Sequence, residues 1–252
     1  MPTNPQASAV TGRPAIILIE PQLGENIGTT ARAMLNCGLE DLRLVRPRHG
    51  RPDERSYAAA SGADLVLDRC RLFERVEDAI ADLKRVYATS GRLRDMVKPI
   101  VTPRAWAAEA RALSAAGQPI GVMFGPERSG LENDDLVLAD TVVTVPLNPA
   151  FSSLNLAQAV VIIGYEWFQA GDATPERRFW HPETVPAAKA ELVNFLERLE
   201  AELDDCGFLR NLEQRPSMVR NLRNLFQRAL PTEQELRTMH GVVKCLVEKR
   251  KF

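Results

Sequence analysis

The stretch Val145-Pro146-Leu147-Asn148-Pro149-Ala150-Phe151-Ser152-Ser153-Leu154-Asn155-Leu156 leaves an apolar strand candidate and runs straight into a helix with almost no polar face. In that helix, Leu154 to Gln169, one stripe is formed by Leu154, Ala157, Gln158, Val161, Ile162 and Tyr165. The opposite side, with Leu156, Ala159, Val160, Ile163 and Trp167, is apolar too. A helix of this kind has to be covered on two sides. Its own sheet supplies one cover, and a second copy of the chain is the expected source of the other, so a homodimer is expected.

Working back from this helix, short apolar runs alternate with helical patterns from Ala15 to about Ala170, as in a mostly parallel sheet covered by helices. The expected strands are Ala15–Glu20, Asp41–Arg46, Asp64–Leu67, Arg85–Thr89, Ile120–Phe124 and Thr141–Val145. Helices are expected over Ile27–Cys37, Arg55–Ala60, Glu74–Asp82, Pro103–Ala116 and Asp134–Leu138, with Pro103 suited to a first turn where no N–H is needed. Working forward, the composition changes after Trp167. Residues 171–185, with Gly171, Pro175, Pro182 and few apolar side chains, read as a linker. Beyond it come three helical patterns, Pro186–Asp205, Arg215–Ala229 and Thr232–Lys249, the last opened by a Thr232/Glu235 capping box behind Pro231. The expected organisation is a polar tail over residues 1–13, an α/β domain over 14–170, the linker, and a small all-α domain over 186–252.

Composition excludes more than it assigns. The 252 residues are 45% hydrophobic and 26% charged, as in an ordinary globular protein. No run approaches the roughly 20 apolar residues that span a bilayer, and the first residues lack the order of a secretory signal, so a cytoplasmic protein without a membrane partner is expected. Cys37, Cys70, Cys206 and Cys245, and His49, His181 and His240, are scattered without ligand spacing, so no metal site is expected. A net charge of −1 gives no global sign of nucleic-acid binding, but two local clusters do exist. One is Arg43, Arg46, Arg48, Arg51 and Arg55, diluted by Asp53 and Glu54. The other is Arg210, Arg215, Arg220, Arg223 and Arg228, with Glu213 the only acid among them.

Three segments rich in glycine, asparagine and serine follow strand candidates, where open α/β sheets bind their ligands. Gly24-Glu25-Asn26-Ile27-Gly28-Thr29-Thr30-Ala31-Arg32 opens a helix but matches neither GxGxxG nor the P-loop. Phe124-Gly125-Pro126-Glu127-Arg128-Ser129-Gly130-Leu131 packs two glycines, a proline and an acid–base pair into one turn. The third is the stretch quoted first, whose Ser153 and Asn155 also suit a helix N-cap.

In this order the Asn26…Arg32, FGPERSGL and NPxxSSLNLAxAV motifs resemble the SPOUT superfamily of RNA methyltransferases, and within it the SpoU/TrmH group, over about residues 15–170. The run Gly207-Phe208-Leu209…Arg220-Asn221-Leu222-Arg223-Asn224-Leu225-Phe226 resembles the helical tail of tRNA-modifying members. Glu25 stands where many members have glycine. The resemblance implies a deep C-terminal trefoil knot, an exception to the rule against knotted chains. It also implies S-adenosylmethionine as cofactor, held by backbone groups of Thr89, Ser90, Gly91, Gly125, Val145, Ser152, Ser153 and Leu154. The implied substrate is RNA, foremost the cytidine or uridine at position 32 of a tRNA anticodon loop, with ribosomal RNA or a catalytically silent RNA-binding dimer as alternatives. Arg32 is the implied catalytic residue, positioned with Asn26, Glu127, Ser153 and Asn155. Arg32, Arg210, Arg215, Arg220 and Arg223 are the implied RNA contacts. Because arginine is effectively always charged in proteins, a clamp on phosphate and developing alkoxide is expected of Arg32 rather than proton abstraction.

Overall fold

The computed structural model describes residues 12–91, 96–175 and 185–249. Most of the expected tail and linker therefore lies outside the described residues. The elements are β1 (Ala15–Ile19), α1 (Gly24–Asn36), β2 (Leu42–Val45), α2 (Glu54–Ala60), α3 (Asp64–Asp68), β3 (Arg71–Phe73), α4 (Val76–Ile80), β4 (Arg85–Thr89), β5 (Ile100–Val101) and α5 (Pro103–Ala115). They continue with β6 (Ile120–Phe124), α6 (Asn133–Val137), β7 (Thr141–Val143), α7 (Leu156–Gln169), α8 (Lys189–Asp205), α9 (Arg215–Ala229) and α10 (Glu233–Lys249). The chain divides between Ala173 and Thr174 into two compact units.

The first unit is built on a seven-stranded sheet, ordered β3-β2-β1-β6-β4-β7-β5, in which every pairing is parallel. Parallel strands need covered crossovers, so the central strands are apolar throughout. All five residues of β1 and all five of β6 are buried. Successive side chains leave opposite faces. Ile16 and Leu18 therefore join one core with Met34, Tyr87, Trp106, Phe124, Ile163 and Trp167. Ile17 and Ile19 join the other with Val45, Val86, Met123 and Leu136.

Two expectations change. Asp64–Leu67, expected as a strand, is the short helix α3, which buries Val66 and Leu67 in the same core as α1. A four-residue apolar run has too little length for periodicity to separate strand from helix. Conversely, β3 and β5, with three and two residues, were not anticipated. Both are sheet-edge strands with little burial, so they carry little apolar signal.

Packing fixes the helices that border the sheet's carboxyl edge. Gly28 lets α1 and α2 touch backbone to side: a Cβ there would lie 2.0 Å from Ser56 O. Arg111 on α5 stacks 3.7 Å from the centroid of the Trp167 ring and donates from Nε to Trp167 O at 2.9 Å, tying the end of α7 to α5. One side of α7 is buried through Leu156, Val160, Ile163 and Trp167, while Val161, Tyr165 and Phe168 on the other side are 46%, 55% and 42% exposed.

From the first arginine cluster, Arg43 is removed by the fold. Its side chain is buried and donates to Ala79 O at 2.6 Å and to Asp41 and Asp82. The burial that disfavours its charge is outweighed by these carboxylates. In return, the hydrogen bond from Arg43 holds the Asp82 carboxyl below its ordinary range. A depressed carboxylate pKa adds stability above the unfolded value of about 3.9, and that stability is lost as pH falls below it. Asp82→Asn is therefore expected to flatten the acid limb of a melting-temperature-against-pH curve below about pH 4. A variant curve parallel to wild type there would show that the pair carries no linkage. The effect is small because Asp82 is more than half exposed.

The second unit is all helical. Leu192, Phe195, Leu196, Leu236 and Val243 form its core, and Phe226 meets Phe195 edge-on at 5.1 Å. The Thr232/Glu235 capping box is present at the start of α10.

Candidate active site

Four neighbouring strands, β1, β6, β4 and β7, end on the same side of the sheet, and the loops that leave them are the three motif segments plus Ser90-Gly91. Segments far apart in the chain are thereby brought together. A cleft at this edge is lined by Thr89, Ser90, Gly91, Gly125, Val145, Ser152 and Leu154, all expected cofactor contacts. Phe124, Pro126, Glu127, Gly130, Val143, Leu147, Leu156 and Ala159 complete it; none of them is among the expected cofactor contacts, although Glu127 is an expected positioning residue of the site. Ser153 is exposed and is not among the lining residues.

The cleft is held open by side chains that bond to backbone. Thr89 Oγ1 donates to Met123 O at 3.0 Å, joining β4 to β6, and Thr144 Oγ1 donates to Ser90 O at 3.0 Å, joining β7 to the loop after β4. At Gly91 an added Cβ would meet no atom of a described residue within 4 Å, so the absence of a side chain leaves room at the rim. At Gly125 an added Cβ would lie 2.2 Å from Leu131 N and 2.3 Å from Gly130 C, so the Gly125–Leu131 turn closes on itself only with glycine there. A rim of small residues and peptide groups, with apolar Val145 and Leu154 beside them, fits an adenosine-bearing cofactor that is recognised by backbone rather than by charge.

Beside the cleft a chain of hydrogen bonds joins the three motifs. Asn155 Nδ2 donates to Asn26 Oδ1 at 3.0 Å, and Asn26 Nδ2 donates to Glu127 Oε1 at 2.6 Å. Glu127 also accepts from the Gln22 N–H, at 3.1 Å to Oε2. Asn155 is at the same time the N-cap of α7, its Oδ1 accepting from Ala157 N at 2.9 Å and Gln158 N. Asn155 therefore caps α7 with its oxygen and joins the hydrogen-bond chain beside the cleft with its nitrogen. With both Glu127 oxygens occupied, its geometry is that of a positioning group rather than a free base.

Arg32 sits differently. It lies on α1 six residues after Asn26, hence about 120° round the axis and about 9 Å along it. Glu25, Thr29, Arg32 and Asn36 form the exposed stripe of α1, while Asn26 is 8% exposed. Arg32 makes no hydrogen bond or ion pair with any described residue and does not line the cleft. Glu25 causes no distortion: it is helical, in the first turn of α1, where a negative charge suits the helix dipole, with Arg55 3.9 Å away.

Among the described residues no group of three His, Cys, Asp or Glu is placed to hold a metal ion, and no helix is long and apolar enough to cross a membrane. The four cysteines are free thiols.

An all-parallel sheet with a small-residue cleft at the carboxyl ends of β1, β6, β4 and β7, flanked by an Asn–Asn–Glu relay of which Asn26 is the buried member, is the arrangement of an α/β protein that binds its ligand where the strands end. The model of the SpoU rRNA Methylase family matches residues 13–165, and the chain belongs to that family. Residues 190–251 match the C-terminal domain of the tRNA methyltransferase TrmJ. The tRNA (cytidine/uridine-2′-O-)-methyltransferase TrmJ of Salmonella typhimurium is 38% identical over 94% of this chain and 97% of its own. The crystal structure of TrmJ from Z. mobilis ZM4 is 46% identical, with a TM-score of 0.78, covering 93% of this chain and 99% of that one. The SpoU methyltransferase AviRb from Streptomyces viridochromogenes, solved in complex with the cofactor AdoMet, has a TM-score of 0.51 at 19% identity. It covers 62% of this chain and 59% of its own, a likeness of fold alone.

Proposed function

We propose that the chain transfers a methyl group from S-adenosylmethionine to the ribose 2′-oxygen of a cytidine or uridine in tRNA, acting in the cytoplasm as a homodimer. The observation that carries this reading is the Asn155–Asn26–Glu127 relay, which couples α1, the helix that carries Arg32, to the walls of the cleft. The match of residues 190–251 to the TrmJ C-terminal domain favours tRNA over ribosomal RNA. The sheet order supports the knot of the family, because β7 lies between β4 and β5, strands laid down before it. The exposed Val161, Tyr165 and Phe168 on α7 support a second copy as the missing cover.

When bound, S-adenosylmethionine supplies an electrophilic methyl on sulfur. Thr89, Ser90, Gly91, Gly125, Val145, Ser152 and Leu154 would hold it, with Ser153 contributing from the adjoining loop. Arg32, a cation without a partner among the described residues, binds the phosphate beside the target ribose and stabilises negative charge as it grows on the 2′-oxygen. The 2′-hydroxyl proton passes to that phosphate or to water, since the guanidinium is already protonated and has no lone pair free to accept it. The relay keeps α1 in register with the cleft, so alignment, the largest part of an in-line displacement, is set before the RNA arrives.

The test is methylation of unmodified tRNA transcripts by the purified protein, with the product nucleotide mapped by mass spectrometry. A 2′-O-methylated cytidine or uridine, at position 32 of the anticodon loop, is expected. Methylation of ribosomal RNA alone would reassign the substrate, and binding of RNA without methyl transfer would leave a scaffold.

A further inference from the structure

We infer that the outward face of α9 is a docking surface for the RNA sugar–phosphate backbone, and that the arginines of this region divide into contacts and struts. The inference rests on the RNA-methyltransferase reading above. Helix α9, RPSMVRNLRNLFQRA, contains four arginines and no acid. Two of the four are already used within the second unit. Arg215 grips Asp204 through Nε at 2.9 Å and Nη2 at 2.6 Å, and Arg223 grips Glu200 at 2.7 and 3.0 Å. Both acids belong to α8, so these two-pronged pairs clamp α9 onto α8, on the side where Phe226 meets Phe195.

The other side of α9 is different in kind. Arg220, Asn224, Ser217, Arg228 and Asn221 fall within about 100° of arc, and all five are exposed. Arg220, Arg228, Asn221 and Asn224 have no side-chain partner among the described residues, and Asn221, Asn224 and Arg228 line one shallow groove with Gln227. The two cations stand about 12 Å apart along the axis with amide and hydroxyl groups between them. Arginine forks fit phosphate oxygens, and asparagine and serine bind phosphate and sugar. An acid-free face of this composition complements a polyanion. A membrane surface fits less well, because Asn221 and Asn224 at the centre of the face would have to be desolvated.

Three full-length variants test this with an unmodified tRNA transcript: Arg220→Gln/Arg228→Gln, Asn221→Ala/Asn224→Ala, and Arg215→Gln. For the first, binding is expected on the order of tenfold weaker at 0.1 M salt, and the slope of log K against log salt shallower by about 1.4 to 1.8, as for two lost phosphate contacts. The asparagine pair should weaken binding with the slope unchanged. Arg215→Gln should lower the melting temperature while keeping the wild-type slope. S-adenosylmethionine affinity, measured by calorimetry, should be the same in all. Wild-type affinity and slope in Arg220→Gln/Arg228→Gln, with tRNA methylation intact in the parent, would overturn the docking face alone. Absence of methylation by the parent would instead overturn the reading beneath it. Binding of phosphatidylserine vesicles in place of the transcript, abolished by the same double substitution, would also overturn it.

Discussion

Arg32→Ala is expected to lower the rate constant for methyl transfer by about 100- to 1,000-fold, the scale of one lost transition-state donor. The affinity for S-adenosylmethionine should stay within about twofold of wild type, because Arg32 lines no part of the cleft. Stability should also be retained, since Arg32 is exposed and bonds to no described residue. The three readouts together separate a residue acting on RNA from one holding the fold. Arg32→Lys keeps the charge but loses the planar fork that grips a phosphate through two N–H groups. It should fall between alanine and wild type and lose RNA affinity more than cofactor affinity. A wild-type single-turnover rate in the alanine variant would remove Arg32 from the chemistry.

Gly125→Ala is expected to abolish measurable cofactor binding and to cost about 3 kcal/mol of stability, roughly 6–12 °C in melting temperature. The two atoms an added Cβ would strike, Leu131 N and Gly130 C, are backbone, so no side-chain rotation relieves the clash. The turn has to open. Leu131, 2% exposed in the core that holds Ile17 and Ile19, would be drawn out with it, and so would Glu127, which the turn presents to Asn26 and Gln22. Gly91→Ala is the matched control at a second glycine of the cleft lining. Its Cβ meets no described residue within 4 Å, so the melting temperature should be unchanged while cofactor affinity falls through intrusion at the rim. Equal melting temperatures and equal cofactor affinities for Gly125→Ala and wild type would mean that the turn is not the cleft wall.

Neither effect is visible in local pattern. What the sequence by itself determined is what short-range rules govern. The wholly apolar five-residue runs at Ala15–Ile19 and Ile120–Phe124, too short for a buried helix, read as central strands, and the Asn155 cap and the Thr232/Glu235 box mark helix starts. The three motif segments were legible because their glycines, prolines and asparagines have few other uses at strand ends, and their joint order pointed to one family. The tertiary structure decided everything that depends on partners distant in sequence. It turned Asp64–Leu67 from strand to helix by burying Val66 and Leu67 in the core shared with α1, and it added β3 and β5 by pairing them at sheet edges. It joined Asn26 to Glu127 across 101 residues and to Asn155 across 129. It also sorted like arginines into unlike roles: Arg43 buried between carboxylates, Arg215 and Arg223 clamped to α8, Arg32, Arg220 and Arg228 left facing outward. A guanidinium looks the same in sequence wherever it lies. Its function follows from whether the fold supplies a carboxylate to neutralise it, and that depends on three-dimensional proximity alone.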